Sequence, residues 1–379
     1  MRQLTVNPAD SIPLPCQVFD VICGTSTGGL IAILLGRLGL DCLTAMSVYK
    51  ELVTALFTDV DKKATGSIVG GEGVFPDVFE EKLSTIVEKY TGNKDTPLKI
   101  HKTRPDKVDH MSTDVSRSHL LSYSLKKVAV DIQTFVTVVQ STAGAAGVEP
   151  YRVRSYTAPR GGIESVLDRH WTLCEVIRAA IALPGYFKPV DIGSQSFQDA
   201  VLSGSANPVR EAISEVELRW SQDFEPLIIS LGTGLVSLSS FDEDDEDYAV
   251  VPGGSQRPRG IFWSDAFLKQ LQGVARDTEL AHQGAMKHFR NMYAPYLERK
   301  INHPETSIMS FRNLARNYFR FDPTGGLGDL RSSDVSQVPR ITALTNVWLR
   351  TPEGSGETSR ASRVLKVNST TQVRRIALI

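Results

Sequence analysis

The stretch Phe19-Asp20-Val21-Ile22-Cys23-Gly24-Thr25-Ser26-Thr27-Gly28-Gly29-Leu30 decides how this chain is read. Val18 to Cys23 is a short apolar run, interrupted by Asp20, and reads as a buried strand. Leu30 to Leu38 follows as an apolar helix. Between them lies Gly-x-Ser-x-Gly. A strand that turns at once into a helix forces the serine into a strained backbone, and side chains two positions either side would collide. Glycine at 24 and 28 removes the collision, and Gly29 leaves room for the helix to pack closely. The turn lifts Ser26 out of the sheet, with Thr25 and Thr27 beside it. Free N–H groups and the positive dipole end of the helix then face any oxyanion that develops there.

The pentapeptide alone is a weak signal. With glycine and serine each near 7% of residues, a chain this long matches by chance about once in eight cases. The strand before it and the helix after it are what strengthen the reading. A phosphate-binding turn is the bland alternative, but the Walker form is excluded because no Gly-Lys-Ser/Thr follows.

Working outward, Leu43 to Thr58 is amphipathic, with Ala45, Val48, Leu52 and Leu56 on one face. Pro76 to Tyr90 has helical spacing and is stopped by Gly92. Phe135 to Gln140, Tyr151 to Tyr156 and Leu227 to Leu231 read as strands. Leu173 to Leu183 reads as a helix ended by Pro184-Gly185, and Trp263 to Tyr293 as mainly helical. Thr65 to Gly73, Asn93 to Ser124 (with His101, His110 and His119) and the acidic run Asp242 to Asp247 read as loops. Strands alternating with helices predict an α/β fold, a mainly parallel sheet covered on both faces. We expect one domain over 1–350 and a mobile tail over 351–379, rich in Gly, Ser and Thr from Pro352 to Ser362.

Composition narrows the function classes. The 379 residues are 41% hydrophobic and 22% charged, ordinary for a globular chain with a sizeable core. A net charge of −1 implies no global attraction to nucleic acid. The four cysteines form no CxxC pair, so a zinc site is not expected. Cys23 and Cys42 lie in apolar runs and read as buried free thiols of a reducing compartment. Met1 to Asp10 lacks the apolar core of a signal peptide, and Leu30 to Leu35 is too short to span a bilayer. An intracellular protein, cytoplasmic or peripheral to membranes, is the expectation. No EF-hand-like loop is present, so no calcium, other metal or cofactor is expected.

The α/β-hydrolase elbow has this same form, followed by an acid and a histidine. That fold sets several strands before its nucleophile, whereas only 25 residues precede Ser26. His282, in a helical stretch, is its formal candidate base.

Gly24-Thr25-Ser26-Thr27-Gly28-Gly29-Leu30-Ile31-Ala32 resembles the nucleophile elbow of patatin-like phospholipases, particularly the fungal multidomain branch. The resemblance continues in family order. Ile177 to Pro189 is similar to an Ala-rich helix followed by Pro and Phe-Lys-Pro. Phe197-Gln198-Asp199-Ala200 with Asn207-Pro208 resembles an Asp-Gly-Gly/Ala block followed by Asn-Pro. Ile229 to Gly234 resembles a Ser-Ile-Gly-Thr-Gly strand end, and Tyr318 to Phe321 a late strand. The resemblance implies a three-layer α/β/α sandwich and a Ser–Asp dyad. Asp199 would take the proton from Ser26 as it attacks a lipid ester at a membrane or droplet surface, through an acyl-enzyme.

Two departures stand beside it. The family's Asp-Gly-Gly-Gly-x-Arg-Gly oxyanion loop, after its first strand and upstream of the elbow, has no counterpart here. The expectation is a chain that starts late, with an uncovered sheet edge and a barrier raised by about 2.7–4 kcal/mol or more. Asp199 is followed by Ala200 rather than glycine, which predicts strain if that position needs a positive φ. The alternative function is a catalytically impaired module that binds lipid or a protein partner.

Overall fold

The computed structural model describes residues 12–58, 76–99, 132–141, 150–158, 171–183, 187–220, 225–234, 278–288, 291, 317–324, 335–367 and 373–379. The loops read at 65–73, 100–124 and 242–247, and the residues Pro184 to Tyr186, lie outside them.

The strands are β1 Val21–Thr25, β2 Gln133–Gln140, β3 Tyr151–Arg154, β4 Val190–Ile192, β5 Gln195–Asp199, β6 Glu225–Leu231, β7 Tyr318–Phe321 and β8 Val373–Leu378. The helices are α1 Pro15–Val18, α2 Thr27–Ala32, α3 Cys42–Thr58, α4 Asp77–Thr91, α5 Leu173–Ile181, α6 Val209–Arg219, α7 at 278–288, α8 Val338–Arg350 and α9 Pro352–Val367. One sheet runs β4-β5-β2-β1-β8-β6-β7. β2, β1, β8, β6 and β7 are mutually parallel. The far edge of β2 is shared between two antiparallel strands: β3 covers Phe135 to Val138, and β5 takes over from Val138 to Gln140.

Side chains alternate across the sheet with period two, which sorts the core into two faces. Val136 and Val138 meet Leu30, Ile33, Phe79 and Ile177 on one face. Val21, Cys23, Phe135 and Ile376 meet Val209, Ala212, Ala281 and Ala285 on the other. The result is an α/β/α sandwich with a mainly parallel sheet, as the strand–helix alternation predicts.

Local chemistry explains the helix limits. Thr172 and Glu175 form a reciprocal capping box at the start of α5. Gly92, at φ 82°, closes α4 in the left-handed conformation. The apolar run after the elbow is only partly α-helical, because α2 widens into a π turn over Ile33–Arg37. Arg37, at the end of that turn, donates from Nε to the Leu98 carbonyl at 2.8 Å and from its terminal nitrogen to the Pro97 carbonyl at 3.0 Å. Burial lowers its pKa to about 10. β1 begins later than its apolar run suggests, because Pro15 starts a helical turn that ends at Val18.

The expected mobile tail is corrected. Ala361, Val364 and Leu365, one helical turn apart, pack α9 against Leu227, Ile229 and Phe319. β8 then inserts between β1 and β6. Gly, Ser and Thr content dominated the sequence reading, but a few apolar residues at helical and strand spacing outweigh it. β8 also pairs with the side of β1 away from β2.

Sequence reading also missed a buried ion cluster. Glu215 of α6, fully buried, takes Arg154 of β3 in a two-pronged bond of 2.7 and 2.8 Å. It also accepts from the Tyr156 hydroxyl at 2.8 Å and lies 3.5 Å from Arg152. Among the described residues no helix is long and apolar enough to cross a membrane, and no His/Cys/Asp/Glu group is arranged to hold a metal ion.

Candidate active site

Ser26 joins β1 to α2 with φ 56° and ψ −133°. Among the described residues it alone has a positive φ without being glycine. Such a backbone costs about 1–2 kcal/mol for an L residue, and the surrounding contacts must hold it there. Those contacts require glycine on both sides. A Cβ on Gly24 would overlap the Gly28 carbonyl, and one on Gly28 would overlap the Ile379 carbonyl. A Cβ on Gly29 would come within 2.7 Å of the Val136 side chain, so its absence brings α2 down onto β2. Thr25 is buried and hydrogen-bonds Thr137 of β2 through its side chain at 2.6 Å. The Thr27 side chain engages the Tyr49 hydroxyl of α3. Burial raises the pKa of that phenol.

Asp199 ends β5 on the opposite side of β2. Thr25 is in register with Thr137, and Asp199 with Val138. The two residues therefore stand at the same level of the sheet, separated by one strand. The Asp199 backbone is fixed from behind, its N–H donating to the Ala182 carbonyl at 3.0 Å. Its Oδ1 accepts from the Val201 N–H at 2.9 Å. Oδ2 is buried and receives no hydrogen bond of ordinary geometry. The Ser26 hydroxyl is nonetheless close enough to favour the charged carboxylate. Burial works against both donors and is the larger effect, so the Asp199 pKa rises to about 7.

Ala200 does not carry the strain expected of it. It has φ −81° and ψ −2°, ordinary for alanine, and opens a short 3₁₀ turn over Val201–Ser203. The left-handed position falls at Gly204 instead. Cys42 is exposed, because it begins α3 on the solvent side, whereas Cys16 and Cys23 are buried.

His282 is not brought to this site. Its Nδ1 lies 3.2 Å from the Tyr318 hydroxyl and its ring stacks on that tyrosine. Tyr318 belongs to β7, three strands along from β1. At 4.7–4.9 Å per strand, that is about 14 Å of sheet. Tyr49, Val138 and Ile379 are the site neighbours that sequence reading missed. None carries a motif, and only the register of the sheet brings the last two there.

The chain has relatives among known proteins. A family model described as "Patatin-like phospholipase" matches residues 9–213. "Phospholipase A I" of Arabidopsis thaliana is 23% identical over 253 residues, covering 58% of this chain and 18% of its own length. "Calcium-independent phospholipase A2-gamma" of Mus musculus is 29% identical over 219 residues, covering 58% of this chain and 24% of its own. The rat protein of that name is also 29% identical, over 220 residues. The chain thus spans a quarter or less of the length of these relatives. The matched span contains the elbow, the capped helix α5 and Asp199, and exceeds half of the chain, which belongs to the patatin-like phospholipase family.

Proposed function

We propose that this chain hydrolyses a carboxylic ester of a lipid, with a phospholipid as the substrate class, through a Ser26–Asp199 dyad. The observation that carries the reading is the meeting of a strained, partly exposed serine with a buried carboxylate whose charge that serine's hydroxyl stabilises. A carboxyl near pKa 7 is divided between its two forms at neutral pH, which suits it to accept a proton and return it. In the forward step Asp199 takes the Ser26 proton as Oγ attacks the ester carbonyl. The tetrahedral oxyanion faces the start of α2, where the Thr27 and Gly28 N–H groups have no acceptor within the helix, whereas the Gly29 N–H is taken by the Ser26 carbonyl at 2.9 Å. Asp199 returns the proton to the departing oxygen, leaving an acyl-enzyme. Water repeats the sequence in reverse and frees Ser26.

Family membership and the phospholipase names of the relatives support a lipid substrate. A surface feature agrees with it. Leu43 and Met46 are exposed on α3, the helix whose Tyr49 reaches Thr27. Apolar side chains one and two turns along α3 from Tyr49 suit a substrate presented at a lipid surface. The test is labelling of the 379-residue chain by a fluorophosphonate probe, with release of fatty acid from phospholipid vesicles. Both should vanish in Ser26→Ala. Vesicle binding without labelling would favour the impaired, lipid-binding alternative.

A further inference from the structure

The elbow is closed by a residue more than 350 positions away. β8 runs parallel to β1, pairing Val21 with Ile376, Ile22 with Ala377 and Cys23 with Leu378. Both ends of the pairing are fastened. At the lower end the Asp20 N–H donates to the Arg375 carbonyl at 2.8 Å, and the Arg375 N–H donates to the Asp20 carboxylate at 2.8 Å. At the upper end the Ile379 N–H donates to the Cys23 carbonyl at 2.9 Å. The Thr25 N–H donates to the Ile379 carbonyl at 3.2 Å. The same Ile379 carbonyl occupies the space that a side chain on Gly28 would need.

One carbonyl oxygen therefore touches both arms of the turn that carries Ser26: Thr25 before it and Gly28 after it. Parallel strands end on the same side of a sheet, so Ile379 lies at the end where the serine emerges. A residue forced to φ 56° needs neighbours that forbid relaxation. The Gly24–Gly28 contact supplies one such constraint from inside the elbow. Ile379 supplies another from outside.

We infer that Ile379 is a positioning residue, whose backbone locks the elbow in its strained form so that the Ser26 hydroxyl points at Asp199. The lock acts through its carbonyl and N–H, and its side chain packs against the small cluster of Cys16, Ile22, Ala32, Ile132 and Ala377. The seat beside the nucleophile strand is thus filled from the far end of this sequence. The inference rests on the dyad reading for its chemical consequence but not for its geometry.

The experiment compares Ile379→Ala with removal of Ile379. Amide exchange of Thr25 reads the lock directly, the fluorophosphonate labelling rate reads Ser26, and melting reads the fold. Ile379→Ala keeps the backbone, so Thr25 exchange and labelling should stay within about twofold of the parent. Removal should speed Thr25 exchange about tenfold, the scale of one backbone hydrogen bond. It should slow labelling by about as much, with β8 still paired through Leu378. Should the shortened chain fail to fold, Gly28→Ala tests the same contact from the other side and should give the same two changes. Unchanged Thr25 exchange on removal, or equal damage from Ile379→Ala, would overturn the lock. A parent chain that never labels would count against the dyad alone, since the exchange measurement stands without it.

Discussion

Thr25 and Asp199 flank β2 at adjacent register positions, Thr25 opposite Thr137 on one side and Asp199 opposite Val138 on the other. The strand carrying Thr25 is parallel to β2 and the one carrying Asp199 is antiparallel. That reversal matters. It lets β5 descend from above and deliver a carboxylate at the height where β1 turns into α2. The two members of the proposed dyad need no loop to carry them together.

Asp199 gives a pH profile its sign. Burial raises its pKa to about 7, so the proton-accepting form grows as pH rises. Hydrolysis should increase with a midpoint near that value and level off above it, measured with a soluble ester from pH 5 to 9.

The same shift predicts a stability change. A folded-state pKa above the unfolded value favours folding fully at low pH, and that contribution is lost as pH climbs from about 4 to about 7. Asp199→Asn cannot lose it. The variant should match the parent near pH 4 and exceed it by about 1–3 kcal/mol at pH 8 in urea unfolding, while hydrolysis is abolished.

Strain at Ser26 is measurable by relieving it. Ser26→Gly removes the Cβ from a backbone with φ 56°. It should raise unfolding free energy by about 1 kcal/mol and end labelling. Ser26→Ala ends labelling but retains the strain, so its melting temperature should stay close to that of the parent.

Glu215 is buried between Arg152 and Arg154. Glu215→Ala leaves both cations without their shared anion and should cost about 3–5 kcal/mol by chemical denaturation. Labelling of Ser26 per folded molecule should be unaffected, because the cluster lies outside the dyad.

Leu43 and Met46, exposed on α3, test the proposed lipid contact. A Leu43→Asp, Met46→Asp double variant should lower hydrolysis of vesicle phospholipid by about tenfold, through roughly 1.4 kcal/mol of lost surface affinity. Its rate on a soluble ester should be unchanged, and only the ratio of the two rates tests the docking role.

Much of this was legible in the sequence where one physical constraint acts locally. The elbow was readable because glycine at 24 and 28 answers a collision between residues four apart. Helix α4 was readable because Phe79, Leu83, Ile86 and Val87 repeat at helical spacing before Gly92. Asp199 was reached only through the resemblance, since nothing local distinguishes it from a turn aspartate. The β4–β5 hairpin escaped because its strands are three and five residues long. β8 escaped because its seat depends on pairing across the whole chain, and Arg374 and Arg375 dilute its apolar pattern.

Arg37 clasps the Pro97 and Leu98 carbonyls rather than a carboxylate. Carbonyl oxygens do not titrate, and the guanidinium keeps its proton below about pH 10. The clasp joining the π turn to Pro97 and Leu98, which pair with Thr172 and Trp171 at the entry of α5, therefore survives in acid, where a carboxylate-based fastening would let go. If Asp199 serves Ser26 as proposed, acid would silence the pair by protonating that carboxyl while this one clasp stays closed, and neutralisation would restore it.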